Sequence, residues 1–358
     1  MYTRGMNAAG LRIVNKAPVT VHDVSPDDGA DEYVNGHPQA CSYHRRQWLE
    51  VIRAAFGHDS KYLVARSARG LTGVLPLVFF RSRIFGRFAV SMPFLNYGGV
   101  LADDVESARA LLQHAIGETR KAGGTHLELR HTTQLFTDLT PKRHKVAMEL
   151  GLAASVDAQW NALDRKVRNQ VRKAEKHALQ AVSGGAELLD DFYRVFAHNM
   201  RDLGTPVYSV RFFQEVLRAF PDETRLFVIR VEGRAAAASL VHWYRDVIQV
   251  PWASAIREFN PLCANLLLYW QMVRFAVEQG FRTFDFGRST PGEGTYHYKK
   301  QWGAEARELV WEYWTADGHA MPELNPKNPK FDLAIRAWQR LPVRVATTIG
   351  PLVVRNIP

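Results

Sequence analysis

Across residues 45–56 the apolar side chains Trp48, Leu49, Ile52, Ala55 and Phe56 recur at steps of three and four, which predicts an amphipathic helix. Runs rich in Val, Leu, Phe and Tyr follow at 61–66, 73–81 and 88–92, with turn formers at 68–70 and 85–86 between them, and predict strands. Pro76 inside the second run predicts a bulged or edge strand, because proline has no N–H to give to a ladder. Asp103 and Asp104 offer N-cap oxygens for a helix reaching Lys121, which Gly123 and Gly124 end, and 126–130 predicts another strand.

The second half runs in a similar order. Helices are predicted at 188–200 and 210–220, a hairpin of 225–231 and 235–242 across Glu232–Gly233, and a third strand at 247–252. A helix at 262–278 closed by Gly280 and a strand at 283–286 complete it. Two copies of one mixed α/β fold is the economical reading. It divides the chain into an N-terminal domain at 18–155, a connecting helix at 156–180, a C-terminal domain at 181–320 and a proline-containing basic segment at 321–358.

In the connecting helix Trp160, Leu163, Val167, Val171, Ala174 and Ala178 form one apolar stripe. Off the stripe lie six cations, Arg165, Lys166, Arg168, Arg172, Lys173 and Lys176, against Asp164 and Glu175, a surplus of four positive charges. That face is either a solvated surface or a wall for phosphates, which spaced guanidinium groups grip bidentately. In the last segment 331–341 predicts a helix, and its basic, aliphatic, Trp-containing character suits packing back on the amino-terminal unit or contact with anionic lipid.

Composition narrows the class. At ~150 residues per domain, 358 residues predict two domains, and 46% hydrophobic with 23% charged residues excludes disordered, collagenous and coiled-coil chains. Two cysteines, Cys41 and Cys263, exclude a disulfide framework or a four-cysteine zinc site, and predict a reducing cytoplasm. The first twenty residues lack a signal peptide's apolar run, and no stretch has the length of a membrane span. With 46 Lys and Arg against 36 Asp and Glu, the net charge of +10 favours an anionic partner: nucleic acid, a phosphorylated small molecule or an acidic membrane face.

The richest chemistry lies at 284–304, FDFGRSTPGEGTYHYKKQWGA. Gly287 to Gly292 has P-loop spacing, but Glu293 stands where the lysine belongs. GRSTP ends in Pro291, which removes the nucleophile elbow, and Gly292 with Gly294 lacks the third glycine of a dinucleotide fingerprint. What remains predicts a glycine-rich loop flanked by Arg288, Tyr296, Tyr298, Lys299 and Lys300, suited to a polar, anionic ligand. Asp285 alternates with Phe284 and Phe286, so it faces away from them as a base, an orienter of cations or a structural ion-pair partner. Tyr208 sits on a turn after Gly204-Thr205-Pro206, and the histidines and cysteines show no metal-ligand spacing.

LDRKVRNQVRKAEKHAL (163–179), NMRDLGTPVYS (199–209), the 284–304 stretch, and GVLPLVFFRSRIFG with SMPFLNYGG in the first half together resemble the FemAB-related proteins. The likeness is to the branch associated with exosortase/PEP-CTERM exopolysaccharide systems, and it covers almost the whole chain. It implies two tandem GNAT-like acyltransferase domains and transfer of an acyl or aminoacyl group to an amine of a cell-envelope or exopolysaccharide precursor. The family's Y-x-F-K-x-x-F-G element falls on Tyr296, Tyr298, Lys299, Trp302 and Gly303, so Lys299 matches its functional lysine.

The resemblance makes Lys299 and Tyr298 catalytic candidates, and Asp285 joins them on its position at the strand end. Arg288, Tyr296, Lys300, Trp302, Tyr208, Arg165, Arg168 and Arg172 are substrate-binding candidates. It implies no tightly bound cofactor and no metal; the donor is acyl-CoA or aminoacyl-tRNA. The expected partners are a phosphorylated envelope or glycan precursor, tRNA, and the anionic inner face of the cytoplasmic membrane. Only short helices fit between Leu188 and Phe220, where tRNA-using relatives often carry a long arm, and 255–260 lacks the glycines of an acetyl-CoA pyrophosphate loop. The second functional reading is an inactive module that binds a glycan precursor or assembles an export complex.

Overall fold

Asp104 starts its helix as its position predicts: the extended backbone ends there, and its carboxylate accepts the Ser107 N–H at 2.8 Å. In the computed structural model, which describes residues 11, 18–23, 29–83, 85–319 and 329–358, the elements follow in order. They are β1 (Thr20–Asp23), α1 (Ala30–Gly36), α2 (Gln47–Phe56), β2 (Asp59–Ser67), β3 (Gly70–Ser82), β4 (Gly86–Val90), β5 (Leu101–Ala102), α3 (Val105–Lys121), β6 (His126–His131) and β7 (Thr140–Gly151). Then come α4 (Val156–Ala162), α5 (Arg165–Lys176), β8 (Gln180–Gly184), α6 (Leu189–Leu203), α7 (Val210–Ala219), β9 (Thr224–Val231), β10 (Arg234–Tyr244) and β11 (Val247–Ala255). The chain finishes with α8 (Ala264–Glu278), β12 (Thr283–Ser289), α9 (Gly294–Lys300), β13 (Glu305–Thr315), α10 (Pro329–Gln339) and α11 (Val343–Val354).

Two units result. Unit 1 takes residues 1–145 and 308–323 with 358, and unit 2 takes 146–307 and 324–357. The strand order of unit 1 is β1-β2-β3-β4-β6-β13, with β5 beside β3; that of unit 2 is β8-β9-β10-β11-β12-β7. Each order is antiparallel except at one place, β4 with β6 and β11 with β12, where the pairing is parallel. The expected mixed α/β architecture is therefore observed, and both units follow one plan.

In unit 1 the apolar stripe of α3 (Ala108, Leu111, Leu112, Ala115, Ile116) packs on Leu63, Leu75, Leu77, Ala89, Leu127 and Leu129. Gly73 permits the approach, since a Cβ there would lie 2.9 Å from Leu111 Cδ1 and 3.0 Å from the Leu101 carbonyl. Pro76 is on an interior strand and not on an edge: β3 has β2 along one side. On the other side β5 pairs at residues 73–74 and β4 at 78–82, so proline occupies the gap between them.

The predicted connecting helix is broken. Asp164 leaves the helical conformation and caps α5 through the Lys166 N–H at 2.6 Å, separating α4 from α5. Leu163, Val167, Val171 and Ala174 are buried, but Ala178 lies beyond the helix, exposed at φ 51°. The carboxyl-terminal helices belong to unit 2, where α10 and α11 pack on α6, rather than to the amino-terminal unit. Arg201 of α6 donates to the Leu341 carbonyl at 2.7 Å, and Gln339 donates to the Asp202 carbonyl at 3.2 Å. The start of the predicted basic segment, 321–328, lies outside the described residues, as do most of the first twenty.

Candidate active site

Within unit 2, β11 and β12 are neighbours only briefly, Val247–Gln249 lying parallel to Thr283–Asp285. Beyond that point β11 follows β10 to Ala255, while β12 continues along β7 to Ser289, opposite Val146. The strands part, and among the described residues no strand pairs with the β12-facing edge of β11 after Gln249. The unpaired side of β11 beyond Gln249 offers backbone groups, Pro251 only its C=O, that can bind an extended ligand as a strand would.

Unit 1 has the same fork filled by its own chain. There β4 and β6 pair only over Ala89–Val90 and Leu127–Glu128. The following loop is stitched across the opening: Ser91 N–H to the Glu128 carbonyl (2.9 Å), Gly98 N–H to the Arg130 carbonyl (3.0 Å), and Val100 N–H to His131 Nε2 (3.0 Å). The buried Arg130 guanidinium binds the carbonyls of Met92 and Leu95 and the Glu128 carboxylate, and Tyr313 donates to the same carboxylate at 2.6 Å.

At the apex of the unit 2 fork, Asp285 is fully buried. One carboxylate oxygen accepts the Gly287 N–H at 2.7 Å, and the other accepts a long 3.5 Å bond from Gln249 Nε2. The register with β7 skips between Asp285 and Arg288, and Gly287 sits at φ 77°, a conformation that only glycine adopts without cost. Lys299 holds the bulge from the other side, its ammonium donating to the carbonyls of Gly287 (3.0 Å) and Arg288 (2.8 Å). These two bonds leave the ammonium one further N–H.

Lys299 lies on α9 and not on a loop, and it is only 8% exposed while its neighbour Lys300 is exposed. Burial pulls the ammonium down to about 8, with the Asp285 carboxylate opposing the fall and the Arg288 charge adding to it. Tyr298 donates a long 3.5 Å bond to the Asn265 carbonyl at the start of α8, and its ring meets Tyr269 edge-on at 5.4 Å. Burial, with Tyr269 beside it, raises the Tyr298 phenol well above its usual range, so it is protonated at neutral pH and serves as a donor. Tyr269 stacks on Phe286, and Trp302 tilts against both rings.

The structure thus brings together Asp285, Arg288, Tyr298, Lys299 and Trp302 around β12 and α9. Tyr296, half-buried, packs edge-on against His297, and Tyr208 belongs to an aromatic cluster with Phe196, Phe212 and Phe213. Arg165 and Arg172 are exposed on α5, and Arg168 is half-buried with its Nε lacking a hydrogen bond. Arg172 lies over the Trp160 ring at 5.5 Å, and Trp160 packs on Trp270, the residue after Tyr269 on α8.

Sequence reasoning missed Gln249, Asn265, Tyr269 and Ser289. The Ser289 hydroxyl is buried at the open end of β12 without a partner. A polar residue within VIQV was the one available signal for Gln249; Tyr269 within LLLYW reads as core. Among the described residues no three His, Cys, Asp or Glu side chains gather as a metal site, and no helix is long and apolar enough to cross a membrane.

Residues 165–300, which contain all of this site except Trp302, match the family model of an acetyltransferase (GNAT) domain. No curated protein matches the chain significantly. Among solved structures, FemX is similar at TM-score 0.61 and 14% identity, covering 82% of this chain and 96% of its own. The C-terminal domain of a putative lysylphosphatidylglycerol synthetase from Agrobacterium fabrum is similar at TM-score 0.53 and 11% identity, over 75% of this chain and 88% of that one. A tandem GNAT protein from the clavulanic acid biosynthesis pathway matches at TM-score 0.54 and 13% identity, over 85% of this chain and 100% of its own. The fold is that of GNAT-like proteins, including a tandem one.

Proposed function

We propose that the protein is an acyl or aminoacyl transferase that forms an amide on an amine of a cell-envelope or exopolysaccharide precursor. The observation that carries this reading is the open β11–β12 fork of unit 2, braced at its apex by Asp285 and Lys299, where unit 1 fills the equivalent opening with its own loop. An acyl-CoA or the end of an aminoacyl-tRNA is the donor. Its extended, amide-bearing chain lies along the free edge of β11, and its carbonyl meets donors fixed before it arrives. Lys299 contributes its remaining N–H and its charge, and Tyr298 contributes a protonated hydroxyl, to the oxygen that gains negative charge or to the leaving group.

Arg165, Arg168 and Arg172 hold phosphates of the donor or acceptor, with tRNA as one candidate. The match to an acetyltransferase domain and the likeness to FemX support transfer chemistry, and the name of the A. fabrum neighbour adds a lipid-linked product as a class of acceptor. The second reading, a non-catalytic module for a glycan precursor or an export assembly, is favoured by one fact: two of the three donors of Lys299 are spent on the protein's own carbonyls.

Incubation with labelled acyl-CoA and aminoacyl-tRNA pools and an envelope extract separates the readings. Transfer chemistry predicts label in an amide linkage, with kcat reduced about 10²–10³-fold by Lys299→Met and only slightly by Lys300→Met. Retention of the precursor with no label transferred from either pool supports the binding module.

A further inference from the structure

The large apolar side chains exposed among the described residues are Leu203, Leu333, Val345, Ile349 and Leu352, and all of them fall on α10, α11 or the end of α6. Leu333 is 79% exposed and Leu352 66%. The arrangement is not a frayed terminus, because the helices are docked. Gly350 lies so close to Val207 that a Cβ would come within 2.8 Å of its backbone, and Gly204 approaches Ile335 as closely. Arg201 and Gln339 add the two hydrogen bonds that tie α10 and its following turn to α6.

Helix α11, VRVATTIGPLVV, is apolar around most of its circumference, yet half of it faces outward. Ala346, Gly350 and Val354 face the protein, while Val345, Ile349 and Leu352 form an outer stripe at the i, i+4, i+7 spacing of one helix face. A helix that is apolar on both sides is normally covered on both sides. At 100° per residue, Arg344, Thr348 and Arg355 fall together beside that stripe, and all three are exposed. Over 329–358 the sequence carries five cations, Lys330, Arg336, Arg340, Arg344 and Arg355, against the single acid Asp332. An apolar stripe bordered by arginines is the chemistry of a helix lying in a membrane interface, with aliphatic side chains among the acyl chains and guanidinium groups at the phosphates.

We propose that α10 and α11 form a docking surface for an anionic lipid bilayer, holding unit 2 at the membrane without spanning it. A protein partner would need acids opposite the arginines as well as a hydrophobic face; an anionic bilayer offers both over any area. The proposal deepens the reading of an envelope-linked acceptor, but it stands on these residues alone and is tested without any transfer assay.

The test is co-sedimentation of the full chain with vesicles of phosphatidylcholine alone and of phosphatidylcholine mixed with phosphatidylglycerol, at low and high salt. Binding is expected to the mixed vesicles, weakened by salt. Leu333→Asp with Leu352→Asp should reduce partitioning roughly tenfold or more at unchanged melting temperature, since both side chains are largely exposed. Arg344→Gln with Arg355→Gln should reduce the preference for phosphatidylglycerol. No binding to the mixed vesicles at low salt, or binding indifferent to the Leu substitutions, overturns the proposal. So does a wild-type dimer in sedimentation equilibrium that Leu352→Asp dissociates, because the stripe would then be covered by a second copy.

Discussion

Replacing Lys299 by Met removes a charge that the fold holds at a cost, and the cost can be read from pH. The ammonium titrates at about 8 in the folded chain against 10.5 when free. The folded state therefore holds this proton less tightly than the unfolded state. Between about pH 8 and 10.5 the unfolded chain binds more protons, so stability rises with pH across that window. At about 1.36 kcal/mol per pH unit of difference, the buried charge costs roughly 3 kcal/mol at neutral pH. Integrating the linkage relation recovers about 2 kcal/mol of that by about pH 9.5.

In Lys299→Met this cost vanishes together with two hydrogen bonds to the carbonyls of Gly287 and Arg288, each worth about 1.5 kcal/mol because the donor is charged. At neutral pH the two effects nearly cancel. Urea unfolding of wild type and variant, followed by tryptophan fluorescence at a series of pH values, isolates the lysine because every other titration is common to both. The difference should move in favour of the wild type by about 2 kcal/mol between about pH 7 and 9.5. Parallel curves, or a difference moving the other way, would refute the assignment of a buried, charge-bearing Lys299.

Gly287→Ala forces a side chain into φ 77° and should cost about 1–2 kcal/mol in the same unfolding assay while lowering any activity that depends on the bulge. Glu312→Ala in unit 1 strips the acceptor from His131 Nδ1 and from the N–H groups of Leu135 and Phe136, all within 2.9 Å, and should destabilise by roughly 3 kcal/mol or more; Glu312→Gln should be milder. Replacing Arg165, Arg168 and Arg172 together by Gln should weaken retention on a phosphate-bearing matrix at low salt with little change in melting temperature, since Val167, Val171 and Ala174 carry the packing of α5. Undiminished retention would make that face a solvated surface.

The helices with a full amphipathic stripe, α2, α3, α6 and α7, were legible because their burial follows a local period, and Asp104 marked its boundary. Strands β7 and β13 were not, because they begin with charged runs, Lys142 to Lys145 and Glu305 to Glu308, and become apolar only halfway. Their partners lie far off in sequence, and no local pattern encodes such pairing. The break at Asp164 was hidden by a stripe that continues through it, although aspartate before a helical run is a capping signal.

At the candidate site, Tyr298 and Lys299 were picked out by the element they share, and Asp285 by its alternation with Phe284 and Phe286. Their geometry was out of reach: α9 is seven residues long, and whether Lys299 or Lys300 turns inward depends on where that helix starts. Gln249 carried only the signal of a polar residue in an apolar strand, and Tyr269 none, because a strand and a helix from elsewhere in the chain deliver them to β12.

Hydrogen exchange of the wild-type protein with and without donor tests the central claim most directly. If the fork in unit 2 receives the donor, amides of Val250 and Trp252 to Ala255 on β11 and of 288–290 at the end of β12 should gain protection with acyl-CoA or with aminoacyl-tRNA, while the filled fork of unit 1 at 91–100 stays unchanged. Protection confined to unit 1, or none at the β11–β12 fork with either donor at saturating concentration, would contradict the account.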